Sequence, residues 1–399
     1  MTAWLHIIGI GEDGLDGLTA NARACIASAD YIVGGKRHHG LIGACAAKQI
    51  NWPSPFDALT SELQALRGKN VVVLATGDPL WFSVGNRIAA SFELDEVRFY
   101  PHVSAFQLAS SKMGWALQDA TCLSVHGRPI ERIKPHLQNG QKLLLLTSNG
   151  AAVAEIAAML TNLGFGPSKL IALANMGGAD EVRFDGIAQN WTHDVPDLNT
   201  VAVECKTLPN TQTLPVGYGL PDCAFLHDGT MTKQDVRAVT MAKLMPMPNA
   251  LLWDVGCGCG SVAVEWMRSA NNARAIGIEA RADRREMALK NAQNLGGFNL
   301  QLIAGKAPEG LNGLASPDAI FIGGGLSAEV FDLCYAALKP MGRLVCNAVT
   351  LGSEQVLLGK YTALGGSLTK LQFAQASPIG GKVGWKPAMP VTQYSLVKK

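Results

Sequence analysis

Short apolar runs alternate with longer amphipathic stretches along most of this chain. The runs Leu5 to Ile10, Tyr31 to Val33, Val71 to Ala75, Leu143 to Leu146 and Val201 to Cys205 read as strands separated by helical segments, the pattern of a wound α/β unit. Between Thr207 and Asp222 the stretch TLPNTQTLPVGYGLPD breaks both periodicities with three prolines and two glycines, which places a junction there. A second α/β pattern follows. It predicts a helix over Thr232 to Met245 and strands over Leu251 to Val255, Ala275 to Ile278, Leu300 to Ala304, Ala319 to Ile322 and Leu344 to Ala348. The tail Leu368 to Lys399 reads as strand, glycine-rich loop, strand. The expected organisation is residues 1–206, a linker over 207–222, and residues 223–399. The halves share no visible repeat, so two different folds are expected.

Composition narrows the possibilities. At 399 residues the chain exceeds a single core of roughly 100 to 200 residues. Hydrophobic residues make up 48% and charged residues 17%, which excludes a disordered polyampholyte. The formal charge of +2 offers no field to recruit nucleic acid or an anionic membrane. No apolar run approaches the roughly 18 residues of a membrane span, and the first residues, Met1 to His6, lead into a strand rather than a signal peptide. A cytoplasmic protein is expected. Nine scattered cysteines without a C-x-x-C pair suggest neither a disulfide framework nor a zinc site, and no metal is expected at Cys257 and Cys259.

The most informative stretch is LLWDVGCGCGSVAVEW, residues 251–266: a strand, then Gly256-x-Gly258-x-Gly260, then a helix opening at Ser261. Glycines permit a tight turn and let a ligand approach the backbone amides at a helix start. Serine stands where a dinucleotide fingerprint would carry its third glycine, which disfavours NAD. Asp254, two residues before the loop, is placed to face a cation. Glu279, about 20 residues after the loop at the end of the next strand, can accept ribose hydroxyls. Gly305, Lys306 and Ala307 end the third strand of this unit and are expected beside an adenine. Gly323 to Gly325 end the fourth; in open sheets ligands bind at the carboxyl ends of the strands, and the methyltransferase resemblance set out below implies the methyl acceptor beside them. Amino-group methyltransferases carry an NPPY-type tetrad at the fourth strand; none stands here, so that resemblance does not imply an amide or adenine nitrogen as the acceptor.

Acid, three glycines and a second acid together resemble the class I S-adenosylmethionine-dependent methyltransferases. The stretch HDGTMTKQDVRAVTMAKLMPMPNALLWDVGCGCGSVAVEW further resembles the C-terminal half of the decarboxylating precorrin-6Y methyltransferases, with Thr232, Lys233 and Arg237 carrying the motif. In the first half, IGIGEDGLDGLT (8–19), VVVLATGDPLWFSVGNRI (71–88) and PHVSAFQLASSKMGWALQDA (101–120) together resemble the tetrapyrrole methylase family, although His102 stands where that family usually has glycine. The fold class implied is α/β: an N-terminal tetrapyrrole-methylase fold of two subdomains and a C-terminal class I, Rossmann-like fold.

That resemblance implies one S-adenosylmethionine site per domain, with Gly77, Asp78, Pro79, Ser104 and Ala105 contacting the first. It implies methylation of a precorrin-6B-type tetrapyrrole at carbons 5 and 15, with loss of the acetate carboxyl on carbon 12. Carbon 5 falls to the first domain, carbon 15 and the decarboxylation to the second. Lys233, Arg237 and Lys306 are expected to hold substrate carboxylates. So is Arg37 in GGKRHH (34–39), where His38 and His39 lack the partners of a metal site. A homo-oligomer, dimer or tetramer, is expected. Two other readings stay open at this point: a class I RNA methyltransferase, and a first half that only senses cofactor.

Overall fold

The computed structural model describes residues 3–399, so Met1 and Thr2, read above as the lead-in to the first strand, lie outside the described residues. Contacts divide the chain into two compact units. One comprises residues up to 130 together with 138–212, and the other comprises 213–399 together with 131–137.

The first half of unit one runs β1 (Leu5–Ile10), α1 (Ala20–Ala27), β2 (Tyr31–Gly34), α2 (Lys36–Ile42), β3 (Lys48–Asn51), α3 (Leu59–Ala65), β4 (Val71–Thr76), α4 (Gly85–Ala89) and β5 (Val97–Tyr100). Its sheet has the order β3-β2-β4-β1-β5, and every pair is parallel. Strand β4 lies inside this sheet and is buried from Val71 to Ala75, which is why it reads as an unbroken apolar run rather than an alternation. The segment GGKRHH spans the end of β2 and the start of α2: Gly34 ends the strand, Gly35 caps the helix and Lys36 opens it.

The second half runs α5 (Ala105–Met113), β6 (Ala120–Ser124), β7 (Lys142–Leu146), α6 (Ala151–Leu160), β8 (Lys169–Ala174), β9 (Val182–Ile187) and β10 (Asn199–Glu204). Its sheet, β6-β7-β10-β8-β9, is parallel only between β6 and β7. Helix α5 starts on a reciprocal cap between Ser104 and Gln107 and stops at Gly114 in the left-handed conformation. Strand β8 escaped the reading of apolar runs because its Leu-Ile-Ala-Leu-Ala core has no polar alternation and follows another alanine- and leucine-rich run, α6.

Unit two runs α7 (Gln234–Leu244), β11 (Leu251–Val255), α8 (Ser261–Ser269), β12 (Arg274–Glu279), α9 (Ala282–Leu295), β13 (Leu300–Ala304), β14 (Ala319–Ile322), α10 (Ala328–Ala337), β15 (Arg343–Ala348), α11 (Leu351–Leu364), β16 (Ser367–Leu371), β17 (Ala374–Ile379), β18 (Lys382–Pro387) and β19 (Val391–Val397). The seven-stranded sheet has the order β13-β12-β11-β14-β15-β19-β16. It is parallel through β15, and β19 runs antiparallel to both its neighbours. Leu251, Trp253 and Val255 pack with α10, while Leu252 packs with Met241 of α7 and with Val262 and Trp266 of α8, so β11 feeds a core on each face. The tail differs from the expected strand, loop, strand. Between β16 and β19, β17 and β18 form their own two-stranded sheet, and the glycines at 380 and 381 are its tip. Both strands are exposed on both faces, so they carry no alternation for periodicity to detect.

A buried ion pair organises the start of unit two. Arg237 and Glu265 are both fully buried, and Arg237 Nε donates to Glu265 Oε1 at 2.8 Å. The remaining Arg237 donors reach Asp222 Oδ1 at 3.0 Å, Thr232 O at 2.6 Å and the carbonyl of Leu220. Glu265 in turn accepts the backbone N–H groups of Gly219 and Leu220. Residues 213–222, read as linker, are thus bonded into unit two. Removing one partner of such a pair strands a charge in the core. Arg237→Met is expected to cost about 3–5 kcal/mol, read as a lower urea midpoint for the unit-two transition, whereas the exposed-pair variant Lys290→Met shifts it by less than about 1 kcal/mol.

Candidate functional site

The carboxyl ends of β11 to β15 open into a cavity of about 1430 Å³, lined wholly by unit-two residues. At its floor the backbone leaves β11 through Gly256, Gly258 and Gly260, at φ +71°, +55° and +76°, a region that favours glycine. A Cβ on Gly256 would lie 2.8 Å from the Cα of Gly324, so the first glycine is needed where the loops after β11 and β14 touch. Gly256 and Gly258 line the cavity and Gly260 does not: a Cβ there would lie 2.9 Å from that of Ala288, so the third glycine serves the packing of α9.

Two carboxylates frame this loop. Glu279, ending β12, accepts the N–H of Gly258 at 2.9 Å through one oxygen and that of Arg281 at 2.9 Å through the other. Asp254 is 1% exposed. Its Oδ2 accepts the N–H of Ala263 at 3.1 Å in the first turn of α8, where the helix dipole favours negative charge, while its Oδ1 is buried with no partner. Burial is the main cause that pushes the Asp254 carboxyl up to about 7, and the nearby Glu279 adds to it. An unpartnered carboxylate oxygen beside a glycine cradle fits the amino and sulfonium cations of S-adenosylmethionine. Asp254, Gly256, Gly258 and Glu279 would hold that group, with Gly305 and Ala307 on the same cavity wall.

Of the expected carboxylate-binding residues, Lys233 and Lys306 line the cavity and Arg237 does not. Arg237 is corrected to a structural role, because every one of its donor nitrogens is spent inside the protein. The cavity also takes Arg281, Arg284 and Lys386, which sequence reasoning missed. Lys386 lies on β18, whose place over the strand ends has no local signal. Gly323 to Gly325 line the cavity as well.

In unit one the ends of β1, β4 and the segment before α5 converge. Gly77 has φ +62°, and a Cβ there would lie 3.1 Å from Ser104 Cα. Asp78 Oδ1 accepts the N–H of Leu80 at 2.8 Å, and Ser104 caps α5 just before Ala105. The Pro79 carbonyl backs onto Gly85. His102, in place of glycine, lies outside the left-handed region; the chain yields instead at Gly9 and Gly11, whose Cβ atoms would each lie 2.9 Å from the His102 side chain. Arg37 is held by Glu12 and donates to Thr76 Oγ1 at 2.5 Å at the end of β4. The neighbouring His38 accepts the N–H of Gly35 at Nδ1, which leaves its proton on Nε2, 2.9 Å from Thr76 Oγ1. Burial and the Arg37 charge pull its pKa down to about 4, so it adds no positive charge near neutrality.

Strand order, glycine cradle and paired acids in unit two, with the two-sheet first unit, are those of an S-adenosylmethionine-dependent methyltransferase of bipartite construction. Residues 4–189 match the tetrapyrrole (corrin/porphyrin) methylases and residues 223–398 the precorrin methyltransferase domain. The chain is 45% identical to the precorrin-6Y C(5,15)-methyltransferase (decarboxylating) of Sinorhizobium sp, covering 100% of this chain and 97% of that protein. It is 36% identical to the Mycobacterium tuberculosis protein of the same name, covering 98% and 99%. A solved C-terminal domain of precorrin-6Y C5,15-methyltransferase from Rhodobacter capsulatus is 42% identical and covers 46% of this chain and 100% of that one, with a TM-score of 0.45. This chain belongs to the family of decarboxylating precorrin-6Y C(5,15)-methyltransferases.

The raised Asp254 pKa gives a signed expectation. The folded protein holds this proton between the ordinary carboxyl range and about pH 7, so the contribution of Asp254 to stability falls as pH rises through that window. Cation binding needs the ionised form. Calorimetry should therefore show S-adenosylmethionine affinity in unit two tightening by up to about tenfold per pH unit below about pH 7 and levelling above it. Asp254→Asn should bind more weakly and lose that dependence.

Proposed function

We propose that this chain methylates a precorrin-6B-type tetrapyrrole at carbons 5 and 15 and removes the carboxyl of the acetate arm on carbon 12. Unit one acts at carbon 5, and unit two acts at carbon 15 and on the acetate. Each unit holds one S-adenosylmethionine. The observation that carries this reading is the unit-two cavity, which joins an unpartnered Asp254 oxygen and a glycine cradle to a volume of about 1430 Å³. That is more than a cofactor requires, and the remaining space suits a large acceptor.

When bound, S-adenosylmethionine supplies an electrophilic methyl group. A meso carbon of a reduced tetrapyrrole is enamine-like, so the protein contributes mainly position and charge. Asp254 and Glu279 favour the cationic, ribose-bearing cofactor at one end of the cavity. Lys233, Lys306 and Lys386 hold acceptor carboxylates around the rim. In unit one, Gly77 to Pro79, Ser104 and Ala105 border the cofactor, and Arg37, beside Thr76, serves the acceptor.

The near-balanced charge supports a small-molecule acceptor rather than RNA. No helix among the described residues is long and apolar enough to cross a membrane; we place the protein in the cytoplasm. The exposed Ile379, Val383 and Trp385 on the β17–β18 hairpin support a homo-oligomer, dimer or tetramer.

Mass spectrometry of the macrocycle after incubation with the purified chain and S-adenosylmethionine should show two methyl groups gained and one carbon dioxide lost. Calorimetry should count two cofactors per chain, with Gly256→Val abolishing one and Gly77→Val the other. A count of one in the unmodified chain, or a count of two left unchanged in either variant, would refute the two-site assignment. Lys233→Met and Lys306→Met should each raise KM for the macrocycle by about tenfold and leave cofactor affinity within about twofold.

A further inference from the structure

The unit-two cavity has one stretch of wall that differs in chemistry from the rest. Its cations come from the residues after β12 (Arg281, Arg284) and β13 (Lys306), from the cap of α7 (Lys233) and from β18 (Lys386). The strand ends of β14, β15 and β19 contribute no cation to the lining. They bring Phe321, Val349 and Val391 and a single polar side chain, Asn347, while the adjoining hairpin adds Phe373 and Met389 together with Gln375 and Lys386. Asn347 pairs in register with Gln393, and Val349 and Val391 each lie two residues beyond that pair on the cavity side. Adjacent strands lie about 4.8 Å apart, so the four strand spacings from β13 to β15 put the end of β15 roughly 19 Å from Lys306.

The Asn347 amide is held in one orientation by a buried network. Thr240 Oγ1 donates its only proton to Val236 O at 2.8 Å, so towards every other group it can only accept. Asn347 Nδ2 lies 3.0 Å and Gln393 Nε2 3.1 Å from that oxygen, which makes both nitrogens donors and sets both amides. Gln393 Nε2 also donates to Asn347 Oδ1 at 3.0 Å. Turning the Gln393 amide over would set two oxygens without a proton against each other. As placed, it leaves Gln393 Oε1 buried and unpartnered, a cost accepted where the return is a fixed Asn347. The second Nδ2–H of Asn347 is bonded to none of these groups, and the residue lines the cavity: a neutral, oriented donor in an apolar wall.

Decarboxylation is hindered by a tightly paired cation, which stabilises the carboxylate that must be lost, and is helped by apolar surroundings. We propose that the cavity wall around Asn347 receives the acetate carboxylate that leaves as carbon dioxide, with the Asn347 N–H as its directional contact. This rests on the reading of unit two given above. The bond between the acetate methylene and the carboxylate carbon breaks. Its electron pair passes into the conjugated, nitrogen-protonated macrocycle, and one proton taken up from solvent converts the methylene to a methyl group. No external oxidant or reductant is consumed. The cations elsewhere around the cavity keep the other carboxylates in place, so the distribution of charge selects which arm is lost.

The experiment counts methyl gain and carbon dioxide loss separately in the same reaction, for the full chain with S-adenosylmethionine and the macrocycle. If the wild-type chain loses no carbon dioxide, the function proposed for unit two fails before this inference is reached. With a competent wild type, Asn347→Lys is expected to lower decarboxylation relative to carbon 15 methylation by about tenfold or more, so that a methylated product retaining its acetate accumulates. Asn347→Leu keeps the apolar wall and is expected to lower that ratio less. Should Asn347→Lys fail to fold, as judged by cofactor affinity, Val349→Lys, at a position more than half exposed, places a cation on the same wall and carries the same expectation. A fall of both reactions in equal proportion in variants that retain cofactor binding would overturn the proposal and leave Asn347 a positioning residue for the whole macrocycle.

Discussion

The buried pair of Arg237 and Glu265 is the constraint on which the second unit is assembled. One guanidinium binds a carboxylate on α8, the carboxylate of Asp222, and the carbonyls of Leu220 and Thr232, while the same Glu265 collects the N–H groups of Gly219 and Leu220. Five separate points of the chain are thereby fixed to the helix that begins at the glycine loop. Phe225 closes the arrangement, its ring 4.8 Å from the guanidinium carbon. Because Thr232 is held from below, Lys233 is presented at the cavity rim as the cap of α7. An isolated charge could not be buried here, and a hydrophobic pair of the same size would not bind four backbone groups.

Around that frame the cavity separates its charges. Acids lie where β11 and β12 end, committed in part to backbone N–H groups, and this is the end suited to a cationic cofactor. Lysines and arginines come from the neighbouring loops and from the hairpin of β17 and β18. The side of β15 and β19 is apolar apart from one neutral amide. A polycarboxylate acceptor entering such a cavity is oriented by opposite charge at its edges and by exclusion of charge at one place, and both act before any bond changes.

Unit one solves a related problem with different means. Its candidate site is made where three backbone segments crowd together, at Gly9 and Gly11, at Gly77, and at Ser104, and side chains are tolerated there only where a glycine opposite gives way. His102 illustrates the exchange, since it fills space that the β1 glycines leave open.

Much of this was legible in the sequence because it is set by neighbours along the chain. The run Leu251 to Val255, the glycines after it and the helix opening at Ser261 are local, and the acid at 279 follows from the length of one helix and one strand. The same holds for the stretches that carry Gly77 to Pro79 and Ser104. Arg237 shows where local reading ends. Its motif marks it as charged and placed near the loop, but only packing decides that its partner is Glu265 rather than a ligand. The hairpin of β17 and β18 has no buried face and so leaves no alternation to read. Asn347 is the clearest case. Its orientation depends on Thr240 and Gln393, which are 107 and 46 residues away along the chain and 153 from each other. The sequence by itself determined the two α/β units and the loops that turn at their strand ends, because backbone conformation is specified by adjacent residues. Which charges face the cavity, which are consumed inside the protein and which amide is held still were decided by the tertiary structure, because burial and hydrogen-bond direction arise only when distant segments meet.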